Sequence, residues 1–394
     1  MATRTAEFPS TAGAYPVARP LTLCHFTTAH RALKSRSFHR ECLPLAGHGV
    51  EVRFLAPVEK PVNRDGIQVI PLARQGALKR LLLFPGLIAT LLAQHATIYH
   101  LQDPQLLPAA FVLKLLFRRR VVYDAYEDFP SMAVQKPRIP RLFRPVVAEA
   151  IAIAEAAGAR IFDGVITADS ATLRRFARTG RSHKLVFYNF PNLDFFPTPA
   201  ARAKSFDVVY RGGLSERAGT SVLLDATERL AAAGRPVRLL LVGYCDSRAC
   251  ESELRERIRL AGLEPHVEIR GRIDHENMAS VLSEARVGVS PLLSTPKFLR
   301  NIPVKVFEYW ACGMPVVATD LRPIRPFLRD GDAGLLVPPG NAADLARSIG
   351  WLLDHPEQAA RMGAKGRELV VTRFSNAGEV TRLRRFIAQI ADAR

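Results

Sequence analysis

From Leu21 onward, short apolar runs of β type alternate with longer stretches whose apolar positions recur at helical spacing. In the first half the strand candidates are Leu21–Phe26, Val50–Ala56, Gln68–Leu72, Thr97–Leu101, Arg120–Asp124, Gly164–Thr167 and Lys184–Tyr188. Helical patterns lie between most of them, among them Phe38–Ala46, Leu78–Gln94 and Ala148–Ala157. Strands alternating with helices predict a parallel, doubly wound sheet. The segment Asn189–Ala203 is rich in Pro and Asn, then Ala; it breaks the periodicity and reads as a linker. The pattern then restarts. Phe206–Tyr210, Val237–Val242, Val267–Arg270, Val287–Ser290, Pro315–Ala318 and Gly334–Val337 are strand-like. Ser221–Ala233, Glu251–Ala261, Asn277–Ala285, Val304–Cys312 and Ala342–Leu353 are helical, and Glu357–Ala393 is almost entirely so. The expectation is an α/β chain of two Rossmann-like halves joined at a hinge.

Composition fits that division. The 394 residues are 48% hydrophobic and 23% charged, enough apolar material for two cores. The five cysteines, Cys24, Cys42, Cys245, Cys250 and Cys312, are odd in number and irregularly spaced, which argues against a disulfide framework or a zinc motif. Residues 1–20 have no apolar stretch of signal-peptide length and read as a disordered tail. Leu81–Ala93 is too short to span a bilayer, which takes about 20 residues, and Pro85-Gly86 interrupts it. A cytoplasmic protein is expected, with peripheral attachment to the inner face of the cell membrane left open.

The net charge of +18 is uneven: residues 1–195 carry +12 and residues 196–394 carry +6. In the first half, basic residues stand beside apolar ones at Lys79-Arg80, at Arg118-Arg119-Arg120, and at Lys136, Arg138, Arg141 and Arg144. This reads either as an interfacial patch for anionic lipid or as an ordinary basic surface. Nucleic acid is not expected as a partner, because no recognition-helix motif or interleaved aromatic pattern accompanies the charge.

Common chemical motifs are missing: there is no G-x-x-x-x-G-K-[ST] loop, no G-x-S-x-G elbow and no H-E-x-x-H, and the ten histidines show no metal-ligand spacing. The informative block is Arg300–Thr319, which reads as loop, helix, glycine stop and strand. Pro303 suits the first helical turn and Gly313 the helix exit. Lys305 and Glu308, three apart, share a face near the helix start. A cation beside the free N–H groups of a helix N-terminus makes an anion site. A carboxylate one turn deeper can accept hydrogen bonds from vicinal hydroxyls, an arrangement that fits a diphosphate next to a ribose. The alternative is a surface Lys–Glu pair on an amphipathic helix.

This block resembles the donor-binding motif of family 4 glycosyltransferases of the GT-B fold. Gly331–Asn341 is similar to that family's G-x-x-G-x-L-V-x-P-x-D, with Asn341 in place of the acid, and Gly212–Gly219 is similar to its first C-domain turn. Arg36–Cys42, His100–Pro104 and Tyr123–Pro130 resemble a bacterial branch of the family. The likeness covers about residues 21–392. It implies two Rossmann-like doubly wound domains facing across a cleft. Residues 21–195 would form the acceptor-side domain, 196–374 the nucleotide-sugar-binding domain, and 375–394 a helix returning to the first domain.

It further implies a retaining transferase that takes a nucleotide-diphosphate sugar and a sugar or lipid-linked acceptor, without a metal or other cofactor, in surface polysaccharide or glycolipid assembly. Arg217 and Lys305 would neutralise the departing diphosphate and Glu308 would bind the ribose. Gly213, Pro303 and Gly271 would border the donor. Asp103, Tyr126 and Glu127 would stand on the acceptor or sugar side. Two positions depart from the family. Arg300 occupies the place of a sugar-contacting Glu, where it would meet an anionic group of the donor or serve as one of many loop arginines. Tyr126 occupies the place of a His at a strand end. These departures motivate an alternative, a catalytically silent GT-B subunit that partners an active transferase. A third reading, a sugar-nucleotide epimerase, would need carboxylates and a His around the hexose that the sequence does not place.

Overall fold

In the computed structural model the described residues are 21–28, 33, 37–72, 84–135, 139–180, 182–197, 204–329 and 332–393. Among them, fourteen strands form two sheets. The first comprises β1 (Thr22–Phe26), β2 (Glu51–Ala56), β3 (Val62–Arg64), β4 (Ile67–Pro71), β5 (Ile98–Leu101), β6 (Arg120–Ala125), β7 (Gly164–Thr167) and β8 (His183–Val186). The second comprises β9 (Phe206–Gly213), β10 (Leu239–Tyr244), β11 (Val267–Arg270), β12 (Ala285–Ser290), β13 (Val316–Thr319) and β14 (Gly334–Val337). Their orders are β3-β4-β2-β1-β5-β6-β7-β8 and β11-β10-β9-β12-β13-β14.

Every pairing is parallel except β3 with β4 at the edge of the first sheet. β3 was not expected: three residues, mostly exposed, carry no periodicity to read. The parallel strands are near-continuous apolar runs because helices cover both faces. Each sheet reverses its strand order once, between β1 and β5 and between β9 and β12.

The first domain has two cores, one on each face of its sheet, and the second has one large core around Trp310, Tyr309 and Phe307. Helix Asn376–Asp392 does not stay with the second domain. Val380, Leu383, Phe386, Ile387 and Ile390 fill one core of the first domain together with Phe38, Phe54 and Val122. Its end is tied there as well: the Asn376 backbone N–H donates to the Pro191 carbonyl at 2.9 Å, and Tyr188 N–H donates to the Glu379 carboxylate at 2.8 Å.

Some expected elements differ in the structure. Asn189–Ala203 is more than a linker. Its described part turns through a short 3-10 stretch at Leu193–Phe195, and Phe190 and Phe196 are buried in the second domain's core. Phe38–Ala46 is a π-helix, Ser37–Cys42, running into a short α-helix, Leu43–Gly47. Of Leu78–Gln94, helix Phe84–Leu92 is described and residues up to 83 lie outside the described residues, as do the tail 1–20 and the basic residues Lys79, Arg80, Lys136 and Arg138. Helices Leu107–Leu115, Phe129–Gln135 and Ser170–Arg175 also escaped the sequence reading. No described helix is long and apolar enough to cross a membrane.

The packed helices Leu107–Leu115 and Arg144–Ile161 leave large apolar side chains in solvent. Leu115, Leu116 and Phe117 project at the end of the first, and Leu142, Phe143, Val146 and Ile153 on and before the second; Leu116 is 73% exposed and Leu142 81%. Arg118 and Arg141 stand exposed beside them.

Candidate active site

The second sheet's reversal point is built from backbone turns. β9 is buried through Tyr210 and then opens into Arg211-Gly212-Gly213. Gly212 has φ +148°, and a Cβ there would lie 3.1 Å from the Lys305 ammonium and 3.0 Å from the Tyr210 hydroxyl. Tyr210 donates that hydroxyl to the Gly213 carbonyl at 2.9 Å. A 3-10 turn, Glu216–Ala218, sets Arg217 at the rim, and Gly219 closes it at φ +79°. Any Cβ on Gly219 would sit 1.8 Å from the Pro291 carbonyl oxygen, so only glycine lets the turn approach the end of β12.

Across from this turn lies helix Val304–Ala311. Pro303 is its extended N-cap (φ −74°, ψ 101°) and not a residue of the first turn. The helix is fixed by buried polar contacts. Tyr309 Oη accepts from Arg211 N–H at 2.8 Å and donates to the Val289 carbonyl at 3.2 Å. Trp310 Nε1 donates to the Ala333 carbonyl at 2.8 Å. Gly313 ends it, with Gly313 N–H bonded to Trp310 O and Met314 N–H to Tyr309 O.

Pro303, Val304 and Lys305 thus face a cleft of about 340 Å³ together with Gly212, Gly213, Ser215 and Arg217. Tyr126, Glu127, Asp169 and Tyr188 form its opposite wall, so the cleft lies between the two domains. The Lys305 ammonium stands 4.0 Å over the Tyr210 ring. Burial first, and the nearby Arg211 guanidinium second, pull its pKa down to about 7, against the opposing pull of Glu308. An anion entering the cleft would meet a helix N-terminus, a desolvated lysine and free backbone at Gly213, where a side chain would have met open space.

Glu308 does not share this face with Lys305. It is fully buried and outside the cleft lining. Oε1 accepts from Arg40 Nη2 of the first domain at 3.3 Å. Arg211 Nη1 lies 3.1 Å from Oε2 as an ion pair off the hydrogen-bond axis. Arg40 also donates to the Asn189 carbonyl, and its own carbonyl accepts from Asn376 at 3.1 Å. One guanidinium of the first domain therefore touches both the connecting segment and the second domain.

Arg217 is half exposed and 3.2 Å from Asp246 Oδ2 at the rim. Arg300 reaches across the cleft to Asp128 Oδ2 at 2.7 Å. Asp128 is held in turn by Arg175 at 3.2 Å. Glu127 lies 3.5 Å from both Lys297 Nζ and Asn301 Nδ2, a second bridge between the walls. Tyr126 stands edge-to-face on Phe129 at 5.2 Å.

Besides Glu308, two further expected site residues lie elsewhere. Asp103 is buried away from the cleft lining, where it accepts from Thr27 Oγ1, Thr28 N–H and Thr28 Oγ1 at 2.9, 2.6 and 3.0 Å. Its carboxylate fastens the turn after β1. Gly271 is exposed beyond β11 and does not line the cleft. The sequence reading missed Arg211, Arg40, Lys297 and Asn301. Arg211 could have been found from its place just before the Gly-Gly turn; Arg40 is 268 residues from Glu308 and left no local signal.

Residues 205–355 match the Glycosyl transferases group 1 family. Over 164 residues the chain is 36% identical to a phosphatidyl-myo-inositol mannosyltransferase of Mycobacterium leprae, 41% of either chain. It is 25% identical over 204 residues to an alpha-D-kanosaminyltransferase of Streptomyces kanamyceticus, 50% of this chain and 51% of that one. The chain thus spans about half or less of the length of these curated relatives. Among solved structures, sucrose-phosphate synthase from Thermosynechococcus elongatus is similar with a TM-score of 0.74 at 21% identity, covering 94% of this chain and 99% of that one. HepE from Anabaena, solved in complex with UDP-glucose, has a TM-score of 0.72 at 17% identity and covers 94% and 100%. These likenesses establish the GT-B fold.

Proposed function

Residues 205–355 being a domain of the Glycosyl transferases group 1 family, we propose that the whole chain is a retaining glycosyltransferase that moves a sugar from a nucleotide-diphosphate donor to a sugar or lipid-linked acceptor in surface polysaccharide or glycolipid assembly. The observation that carries this reading is the convergence of the Val304–Ala311 N-terminus, Lys305 and the Gly212-Gly213 turn on one inter-domain cleft. As the bond from the sugar C1 to the phosphate breaks, negative charge gathers on the diphosphate. Lys305, the helix N–H groups and Arg217 at the rim stand where that charge develops, so the chain's own groups do the neutralising and no metal is required. Glu127, Asn301, Lys297 and Tyr126 form the end of the cleft where the sugar and acceptor would meet. Glu308 would reach a ribose only on leaving Arg40, so donor binding would loosen that contact. One of the similar structures is a complex with UDP-glucose, which supports the reading of the donor class.

The acceptor would come from a membrane. Anionic lipid suits the exposed Leu116, Phe117, Leu142, Phe143 and Val146 beside Arg118 and Arg141, since each cation near such a surface is worth about 1 kcal/mol. Flotation with anionic vesicles at low and high salt tests this. Attachment at low salt that is lost at high salt, and weakened in a Leu142→Glu/Phe143→Glu variant, is expected; equal flotation with neutral lipid ends the idea.

The central experiment is calorimetric binding of UDP-, GDP- and ADP-sugars, followed by product analysis with retention or inversion read by NMR. One donor should bind, and its sugar should be transferred or slowly hydrolysed with retention. If no nucleotide sugar binds, the reading fails.

A further inference from the structure

The first sheet's reversal, between β1 and β5, has its own crevice beyond the strand ends, the place where ligands bind in open α/β sheets. In this domain it is filled with side chains. His25, near the end of β1, and His100, near the end of β5, are register partners and so project from the same face. Their Nδ1 atoms are 3.1 Å apart and their rings meet edge-to-face at 4.7 Å. His25 lies flat on Phe54, ring centroids 5.0 Å apart, which fixes its plane. Glu41 reaches the same spot from the π-helix Ser37–Cys42, a rare winding that concentrates at functional sites. The candidate ligand atoms of the three residues all lie within 4.8 Å of one another, and all three side chains are buried, none more than 1% exposed.

The geometry points to a divalent metal site of the zinc class in the N-terminal domain, ligated by His25, His100 and Glu41. The donor set selects the class. Two imidazole nitrogens and one carboxylate oxygen suit zinc and its first-row neighbours, whereas calcium and magnesium favour all-oxygen shells. Zinc–nitrogen bonds of about 2.0 Å at tetrahedral angles put neighbouring ligand atoms about 3.3 Å apart, close to the 3.1 Å between the two Nδ1 atoms. Three protein ligands leave a fourth position for a non-protein donor. The site is separate from the donor cleft, whose lining includes none of the three residues.

Its consequence is structural. The metal clamps the π-helix onto the central strands and so sets the position of Arg40, the residue before Glu41, against Glu308 of the other domain. The ligands come from three separate segments, which is why no histidine spacing announces them.

The test uses the full chain, purified without a polyhistidine tag and dialysed. Elemental analysis should find about one zinc per chain, as isolated or after reconstitution with Zn2+. Co2+ substitution should give the visible ligand-field bands of a four-coordinate ion. A strong chelator should lower the melting temperature of the wild type, and Glu41→Gln and His100→Asn should each lose the metal. Zinc well below one per chain both as isolated and after reconstitution overturns the proposal, as does metal retained undiminished in both variants. If the variants do not fold, the wild type decides: without Co2+ bands and without a chelator-induced shift in melting temperature, the three residues are only a hydrogen-bonded polar cluster of the core.

Discussion

Both sheets reverse strand order once, and the two crevices this creates are finished in opposite ways. Between β9 and β12 the chain supplies backbone at Gly212 and Gly213 and a helix N-terminus, with Lys305 and Arg217 facing an open cleft. Between β1 and β5 it supplies side chains that fill the space: His25, His100, Glu41 and Asp103, all buried. An open crevice leaves its donors free to meet an incoming anion. A filled one must satisfy its polar groups from within, so its residues serve the fold before they serve a ligand. Residues at equivalent places in two similar domains therefore carry different burdens.

The largest test of this contrast lies at the link between the crevices. Arg40→Ala strips Glu308 of a buried partner, a change that costs about 3–5 kcal/mol when the remaining charge is uncompensated. Arg211 stays within 3.1 Å of Glu308, so a loss at the lower end is expected, read as a fall in denaturation midpoint. An unchanged midpoint would mean that the two domains do not lean on this contact.

Asp103→Ala comes next. It removes the acceptor of three hydrogen bonds and should destabilise the protein by about 2–3 kcal/mol. Should stability hold while acceptor turnover collapses, the first crevice is not the filled structural one described here.

For the open crevice the sign is reversed. Lys305→Met should weaken UDP or GDP binding by about 1.5–3 kcal/mol, roughly 10- to 150-fold, the worth of a charge-assisted hydrogen bond. The same change should leave the unliganded protein as stable or more stable near and below pH 7. A lysine whose folded pKa of about 7 lies below its unfolded 10.5 binds fewer protons when folded, so its contribution to stability rises with pH across that window and is smallest below it. Nucleotide affinity runs the other way, falling as the pH rises through about 7, because the anion favours the ammonium form. Affinity flat from pH 6 to 9 in calorimetry would remove Lys305 from the anion site.

The smallest effect belongs to the bridges over the cleft. Arg300→Ala breaks a half-exposed pair with Asp128 and should change stability by less than about 1 kcal/mol. Its readout is shape. Scattering should show a more open unliganded protein, and high salt should do the same to the wild type; identical dimensions in all three would discard the bridge as a latch.

The same contrast explains what could be read in the sequence. All thirteen expected strands are present, since each is a compact apolar run between turn residues. The antiparallel β3 escaped because its three residues are mostly exposed. The open crevice was legible in outline because Pro303, Lys305 and Gly313 sit within one loop–helix–turn unit, and backbone features leave local marks. The direction of Glu308 was not legible, because it answers to Arg40 across the domain boundary. Asp103 entered as a site residue through the resemblance of His100–Pro104 to the family; three hydrogen bonds from its two neighbours Thr27 and Thr28 turn it into a fastener. The filled crevice was invisible, since His25, Glu41 and His100 belong to three stretches that only the sheet brings together.

The helix Asn376–Asp392 gives the molecule a temporal order. The first domain is made first on the ribosome, yet Phe386 and Ile390 in its core follow the whole second domain in the chain. A Cβ on Gly164 would fall 2.6 Å from the Ile390 side chain, so the fit is tight. The early domain thus waits with an open apolar face while the later domain, whose core draws on Phe190 and residues 196–374, can close without that helix. Maturation runs against the direction of synthesis, and the interval in which the first domain's open face is exposed to aggregation or holdase capture ends only when the helix Asn376–Asp392 has left the exit tunnel.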